Sequence, residues 1–380
     1  MFFIWLITLL VCFLDFYLLQ KVKIKIGSYQ RKRNTVDMSW HLIFDIVILL
    51  IVLLLITSNR TGVDIVNYNN WYIREQPTTR EPLYTFLRIY SHRKGITFFG
   101  FRTLLTFISG VFFYQVCRKN SVPISFVMCC YLPSMFFIDS MQFRNAVALC
   151  IMLFATDYLI KDMKCKMNRI VYLISVIIAA QIHTSFYAFL IFLPMCSKRK
   201  KVYAKIIFIC GILLLGVSVL NNRSVPFVDL VYNVILSSGD NRSYEYAGGH
   251  NIFLYPMFVH LLSTGLLLYY ARFWKSKKNN DYEKNYIDFI NVINLIFFLF
   301  VPLTMMSTTF YRFLRNMYMF DIFSAYYLIR NSHNNKRKLA IFIGMILISL
   351  LWLYFMVGIY SSSKVLIYPI FKYGIWFWKD

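Results

Sequence analysis

Apolar runs long enough to cross a bilayer recur along this chain, and short lysine-rich stretches separate many of them. A helix rising 1.5 Å per residue needs about 20 such residues to cross a ~30 Å hydrocarbon core. The runs fall at 2–19, 40–57, 97–117, 122–138, 143–160, 168–182, 184–196, 203–220, 252–272, 285–306, 310–329 and 339–359. With 59% hydrophobic and 15% charged residues, the chain has too little polar surface for a water-soluble domain. The expectation is an all-α, polytopic membrane helical bundle of about 12 transmembrane helices. Residues 1–380 read as a single integral membrane domain, with no repeat and no low-complexity tract.

The charge pattern orients it. The first run lacks a basic leader and a small-residue cleavage site, and Lys21, Lys23, Lys25, Arg31, Lys32 and Arg33 follow it. It therefore reads as a retained span with its N-terminus outside. Alternation then places the basic loops 118–121, 161–169, 197–202, 273–284 and 330–338 in the cytoplasm. Those loops account for most of the net charge of +24, so positive-inside bias explains it and nucleic acid is not a partner. Basic clusters flank 168–196 on both sides, which requires two short helices hinged near Gln181, Ile182 and His183. Two extracytoplasmic loops are long: 58–96 and 221–251. The first ends in a segment opened by Pro82, with Leu83, Phe86, Leu87 and Tyr90 on one helical face, as in an interfacial amphipathic helix.

Arginine and lysine divide by side. The cytoplasmic segments hold 18 lysines and eight arginines, whereas the outer loops and outer helix ends before the C-terminal tail hold Lys94 and ten arginines. Either residue satisfies topology, so arginine on the outer side points to forked recognition of phosphate or carboxylate. Arg74, Arg88, Arg93, Arg223 and Arg242 read as side chains snorkelling to headgroups. Arg144, Arg312 and Arg315 stand at span boundaries, where charge is costly and commonly functional. Arg102 lies a turn inside its span, to reach outward or pair with an acid, and Asp321 is an isolated acid near the middle of another. The eight cysteines avoid the outer loops and show no zinc spacing, so neither a disulfide framework nor a metal site is expected.

Four short segments cluster on the outer side: Arg60-Thr61-Gly62-Val63-Asp64 leading to Tyr68, Glu81-Pro82-Leu83-Tyr84, Arg144-Asn145 opening a span, and His183-Thr184-Ser185 at the hinge. In order and spacing, over about residues 58–195, they resemble the EpsG-like group of Wzy-type polysaccharide polymerases. Two departures are visible: one extra residue between Arg60 and Asp64, and Asn145 where the group has glutamine after the arginine.

The resemblance implies a glycosyltransferase of the bacterial inner (cytoplasmic) membrane, active on its periplasmic side. It would join undecaprenyl-diphosphate-linked oligosaccharide repeat units and release undecaprenyl diphosphate. It assigns diphosphate binding to Arg60, Arg80, Arg144, Arg312 and Arg315, leaves Asp64, Glu81 and His183 as candidate bases, and offers Tyr68, Tyr84, Asn145 and Tyr244 to the sugars. No cofactor is implied, since the donor is already activated and arginines serve in place of a metal at the diphosphate. Membrane lipid is a partner, and a chain-length regulator is compatible with the chemistry. The competing readings are a lipid-linked oligosaccharide flippase, which would need charge at several depths, and an O-antigen ligase, which differs only in its acceptor. A histidine-dependent acyltransferase would need a polar path from the cytoplasm to His183, and the sequence shows none.

Overall fold

The computed structural model describes residues 5–11, 34–60, 62–75, 81–197, 199–221, 225–226, 253–274, 281–306, 310–361, 363–367 and 370. Among these there is no strand. The main helices are α1 (Asn34–Ser58), α2 (Val63–Ile73), α3 (Pro82–Arg93), α4 (Phe98–Lys119), α5 (Ile124–Ser134), α6 (Phe136–Met141), α7 (Phe143–Lys161), α8 (Lys166–Ile182), α9 (Lys200–Leu220), α10 (Leu254–Ala271), α11 (Asp281–Phe297), α12 (Tyr311–Asn331) and α13 (Asn335–Tyr354). Among the described residues, five segments are long and apolar enough to cross a membrane: Phe98–Lys119, Phe143–Lys161, Lys200–Leu220, Leu254–Ala271 and Asn335–Ile359. On them Leu213, Leu220 and Leu347 stay exposed, as side chains facing lipid tails would. The all-helical membrane architecture is thus present, with five qualifying spans where the sequence suggests about 12.

The chain forms two compact units, one of Met1–Asp157, Ile174–Tyr187 and Ser363–Asp380, the other of Tyr158–Leu173 and Ala188–Ser362. In the first, Arg102 on α4 is fully buried and meets backbone carbonyls instead of an acid. Its guanidinium donates to the carbonyls of Ile56 and Asn59, to Thr57 O at 3.4 Å and to Ser140 O at 2.5 Å. The last carbonyls of a helix have no partner within it and carry the negative end of its dipole, so a cation there completes α1. Asp45 serves the opposite polarity: its carboxylate accepts from the backbone N–H groups of Ile124 and Ser125 at 3.0 and 2.9 Å, at the start of α5.

Proline divides the next apolar run. Pro133 has no N–H, which leaves the Cys129 carbonyl without its usual helical donor; Trp5 supplies one, its Nε1–H lying 3.0 Å from that oxygen. The helix ends at Ser134 and restarts as α6 at Phe136, so the apolar run 122–138 is two helices and not one.

The stretch 58–96 is more ordered than its polar composition suggests. Ile65, Tyr68 and Tyr72 recur on one face of α2 and pack on Phe98, Phe101, Leu105 and Phe143. On α3 the buried face carries Tyr84, Thr85, Arg88 and Ser91, while Phe86 and Tyr90 stack 6.0 Å apart and stay exposed. Arg88 does not reach solvent: it is buried and donates to the Trp71 carbonyl near the end of α2, and burial lowers its pKa. The break near residue 182 is also real. α8 ends at Ile182, and the chain continues from Thr184 to Phe192 as a 3₁₀ helix. Three residues per turn place Phe186, Phe189 and Phe192 on one edge, and all three are fully buried. The loop 221–251 lies almost wholly outside the described residues.

In the second unit α12 is buried on nearly every side and packs against α10, α11 and α13. Its Tyr318 hydroxyl donates to Met345 O at 2.8 Å. Gly211 on α9 lets the backbone of Leu299 approach: a Cβ there would lie 3.3 Å from the Leu299 Cα and N atoms.

Candidate functional site

The first unit gathers several of the expected residues. α7 begins at Phe143, so Arg144 sits in its first turn, where backbone N–H groups have no helical acceptor and favour negative charge. Its side chain is 7% exposed. One Nη donates to Glu81 Oε2, and the other lies 3.3 Å from the Tyr68 hydroxyl. The guanidinium plane covers two rings, 4.4 Å from the centroid of Tyr68 and 4.9 Å from that of Tyr84. Desolvated cation–π contacts of this kind are worth about 2 kcal/mol. Without such support a buried guanidinium would lose more in hydration than one ion pair returns.

Glu81 immediately precedes α3 and is committed on both oxygens. Oε2 faces Arg144, and Oε1 accepts from the backbone N–H of Thr184 at 3.2 Å. The carboxylate therefore ties the 183–185 turn to the arginine. His183 is 6% exposed. The Ser185 backbone N–H donates to its Nδ1 at 3.4 Å, and the Ser185 hydroxyl lies 2.8 Å from the same nitrogen. A nitrogen that accepts from a backbone N–H carries no proton, so neutral His183 keeps its proton on Nε2.

Some hydrogen-bonding capacity in this cluster is unused. Arg144 Nε, the Tyr84 hydroxyl and Gln142 Oε1 are buried without a partner among the described residues. Native interiors leave few such atoms, and each needs a reason, such as an absent ligand or water. Burial raises the pKa of the Tyr84 phenol, against the pull of the Arg144 charge, so at neutral pH it remains a neutral O–H.

Asp64 stands in the first turn of α2, half-buried, one helical turn before Tyr68. No hydrogen bond or ion pair engages it among the described residues, which makes it the uncommitted carboxylate here. Gly62, at the helix cap, donates to Asn59 Oδ1 at 3.1 Å; Asn59 donates to Ser140 Oγ at 3.2 Å, and its carbonyl takes Arg102. The buried Arg102 therefore fixes the stretch of chain that delivers Asp64. Arg60 is half-buried with its guanidinium 4.9 Å from the centroid of Phe99. Asn145 is fully buried, its N–H bonded to Gln142 O at 2.9 Å.

Arg312 and Arg315 belong to the second unit. Arg315 is fully buried on α12, 5.6 Å over the Tyr311 ring, and Arg312 is half-buried. Arg80 and Tyr244 lie outside the described residues. Among those described, no group of three or more His, Cys, Asp or Glu side chains is placed to hold a metal ion.

Two participants were not legible as such from sequence: the Thr184 N–H, and Arg102 as the anchor of the Asp64 segment. Backbone donors leave no mark in a sequence. The signal for Arg102 was present, since a charge one turn inside a span must find some partner, but carbonyls as that partner cannot be read from residue types.

The EpsG family model matches residues 42–373. No curated protein and no solved structure matches the chain.

Proposed function

The chain belongs to the EpsG family, whose members are Wzy-type polymerase-like membrane proteins of polysaccharide biosynthesis, and from that premise we propose that it polymerises oligosaccharide repeat units carried on undecaprenyl diphosphate. The reaction takes place on the outer face of the bacterial inner membrane, with residues 1–380 acting as one integral membrane domain. A hydroxyl of one unit attacks the anomeric carbon of the sugar attached to a second carrier. The C1–O bond to phosphate breaks, and undecaprenyl diphosphate departs with the electron pair.

One observation carries this reading: a buried arginine at a span's first turn, backed by two tyrosines and a glutamate, keeps an unused Nε–H beside an unused tyrosine hydroxyl. Such preorganised donors suit an oxygen that gains charge as a bond breaks. Arg144 and Tyr84 bind the diphosphate, and the His183 Nε2–H donates to the same leaving group. Because Glu81 already balances Arg144, further positive charge comes from Arg60 and Arg80. Glu81 positions Arg144 and the 183–185 turn. Asp64, the uncommitted acid, takes the proton of the attacking hydroxyl, and Tyr244 stacks on sugar. Tyr68 and Tyr84 serve first as supports of the guanidinium, and Asn145 is an interior residue at the same helix start.

The decisive experiment supplies purified protein with lipid-linked repeat units alone. Long glycan and free undecaprenyl diphosphate are expected; movement of the lipid across vesicles without polymer indicates a flippase, and transfer only to a lipid A core acceptor indicates a ligase. In cells, Arg144→Ala protein present at normal level is expected to leave single repeat units accumulated. Normal polymer length from that strain removes Arg144 from the mechanism.

A further inference from the structure

The second unit contains a buried acid that the reaction above does not use. Asp321, on α12, is fully buried. Its Oδ2 accepts from the Ser263 hydroxyl of α10 at 2.5 Å and its Oδ1 from the Asn294 side-chain amide of α11 at 2.6 Å. No lysine, arginine or histidine among the described residues forms an ion pair with it. His260 stands one turn before Ser263 and faces the Asn294 carbonyl through Nε2 at 2.9 Å, not the carboxylate. A negative charge in such surroundings needs a positive counterpart.

Proton and cation are the two candidates, and the unused acceptors around the acid favour the cation. Both carboxylate oxygens already face a donor, which suits the charged form. Uncommitted acceptors surround the acid as well. Asn294 uses its N–H on Asp321, and its own Oδ1, on the same carbon as that nitrogen, is buried and without a donor among the described residues. Ser324, one turn along α12 on the same face, is fully buried and its hydroxyl has no partner among them. Asn291, one turn back on α11, likewise leaves Oδ1 without a donor. A seam rich in oxygen lone pairs with one formal negative charge matches a hard cation of single charge. A divalent ion would draw on clustered carboxylates or keep several waters.

We propose that α10, α11 and α12 enclose a binding site for a small monovalent cation, held by the Asp321 carboxylate, Asn294 Oδ1 and the hydroxyl oxygens of Ser263 and Ser324. The bound ion neutralises Asp321 and links three helices of the second unit, so it stabilises the folded protein in proportion to its occupancy.

The test uses the full-length protein in lipid nanodiscs, with thermal unfolding followed in sodium, potassium and choline chloride at equal ionic strength. The expected result is a saturable rise in Tm with sodium or potassium over choline. Asp321→Asn, which keeps the shape and removes the charge, is expected to abolish that rise. Ser324→Ala, which leaves both donors to Asp321 in place, is expected to raise the half-saturating concentration roughly tenfold, as loss of one ligand oxygen would. Saturable retention of radioactive sodium or potassium by wild type, lost in Asp321→Asn, gives a readout independent of stability if either variant folds poorly. Equal Tm in all three salts overturns the proposal, as does an unchanged ion response in Asp321→Asn. A Tm that rises on acidification without ion dependence assigns the site to a proton and overturns it too.

Discussion

The Arg144 guanidinium meets Glu81 through one Nη, approaches the Tyr68 hydroxyl through the other, and lies over two aromatic rings. A lysine at this position keeps the charge but not the fork. Arg144→Lys is expected to lose one charge-assisted hydrogen bond, about 1.5–3 kcal/mol, so polymer formation by purified protein falls roughly 10- to 150-fold. A kcat within twofold of wild type would show that charge alone suffices. Asp64 offers the complementary case. It sits half-buried with no partner among the described residues, so Asp64→Asn costs little stability; as the loss of a general base it lowers kcat by about 10²–10⁴. Unchanged turnover would return the proton to water. Residue types carried much of this cluster, because an arginine at a span boundary and an acid before proline announce unusual surroundings. They did not reveal that Glu81 faces both Arg144 and the Thr184 N–H, nor that Ser185 fixes the His183 tautomer. Those facts depend on backbone geometry, which residue identity alone does not determine.

At the scale of elements, apolar periodicity located most of the long helices to within a few residues, since a span must bury its own backbone hydrogen bonds whatever surrounds it; α1 starts earlier, at Asn34, and α11 ends at Phe297 although the run continues to 306. It was less informative where packing decides. Helix α2 is absent from a reading of polarity because Asn67, Asn69 and Asn70 interrupt the aromatic face of Ile65, Tyr68 and Tyr72. The 3₁₀ form of Thr184–Phe192 comes with phenylalanines spaced by three, a pattern too short to separate from an α-helix by eye. Close helix approach makes its own prediction. Gly211→Val is expected to destabilise the protein by about 1–3 kcal/mol, because the Leu299 backbone has no side chain to move aside. Gly216→Ala on the same helix meets no atom within 4 Å and is expected to be neutral or to stabilise by up to ~1 kcal/mol. Equal Tm values for the two variants would remove the packing argument. The α2–α3 connection also titrates. Hydrogen bonds from Arg93 and His92 lower the pKa of Glu75 from its ordinary 4.5. That tie is fully present above pH 4.5 and is lost as pH falls through the lowered folded value. Faster amide exchange in 82–93 is expected across that acid range, with no pH step in Glu75→Gln.

For the molecule as a whole, guanidinium groups in place of a divalent ion make a prediction about its chemistry. Polymerisation by purified protein is expected to continue undiminished after exhaustive treatment with a divalent-metal chelator. Complete loss restored by magnesium or manganese would contradict it. The apolar runs suggest about 12 spans, and among the described residues five segments meet the length and apolarity of a crossing helix. Short segments account for part of the difference: proline divides the run 122–138 after Ile124–Ser134, and Thr184–Cys196 is only 13 residues long.

The bond between Trp5 and the Cys129 carbonyl sets an order of events during synthesis. The indole leaves the ribosome 124 residues before its acceptor, so the segment that carries it waits, unmatched, until the proline-interrupted helix arrives. Shortening the amino terminus for expression would then strip a donor from the interior of a distant helix, a lesion that detergent extraction would unmask more readily than growth of the host.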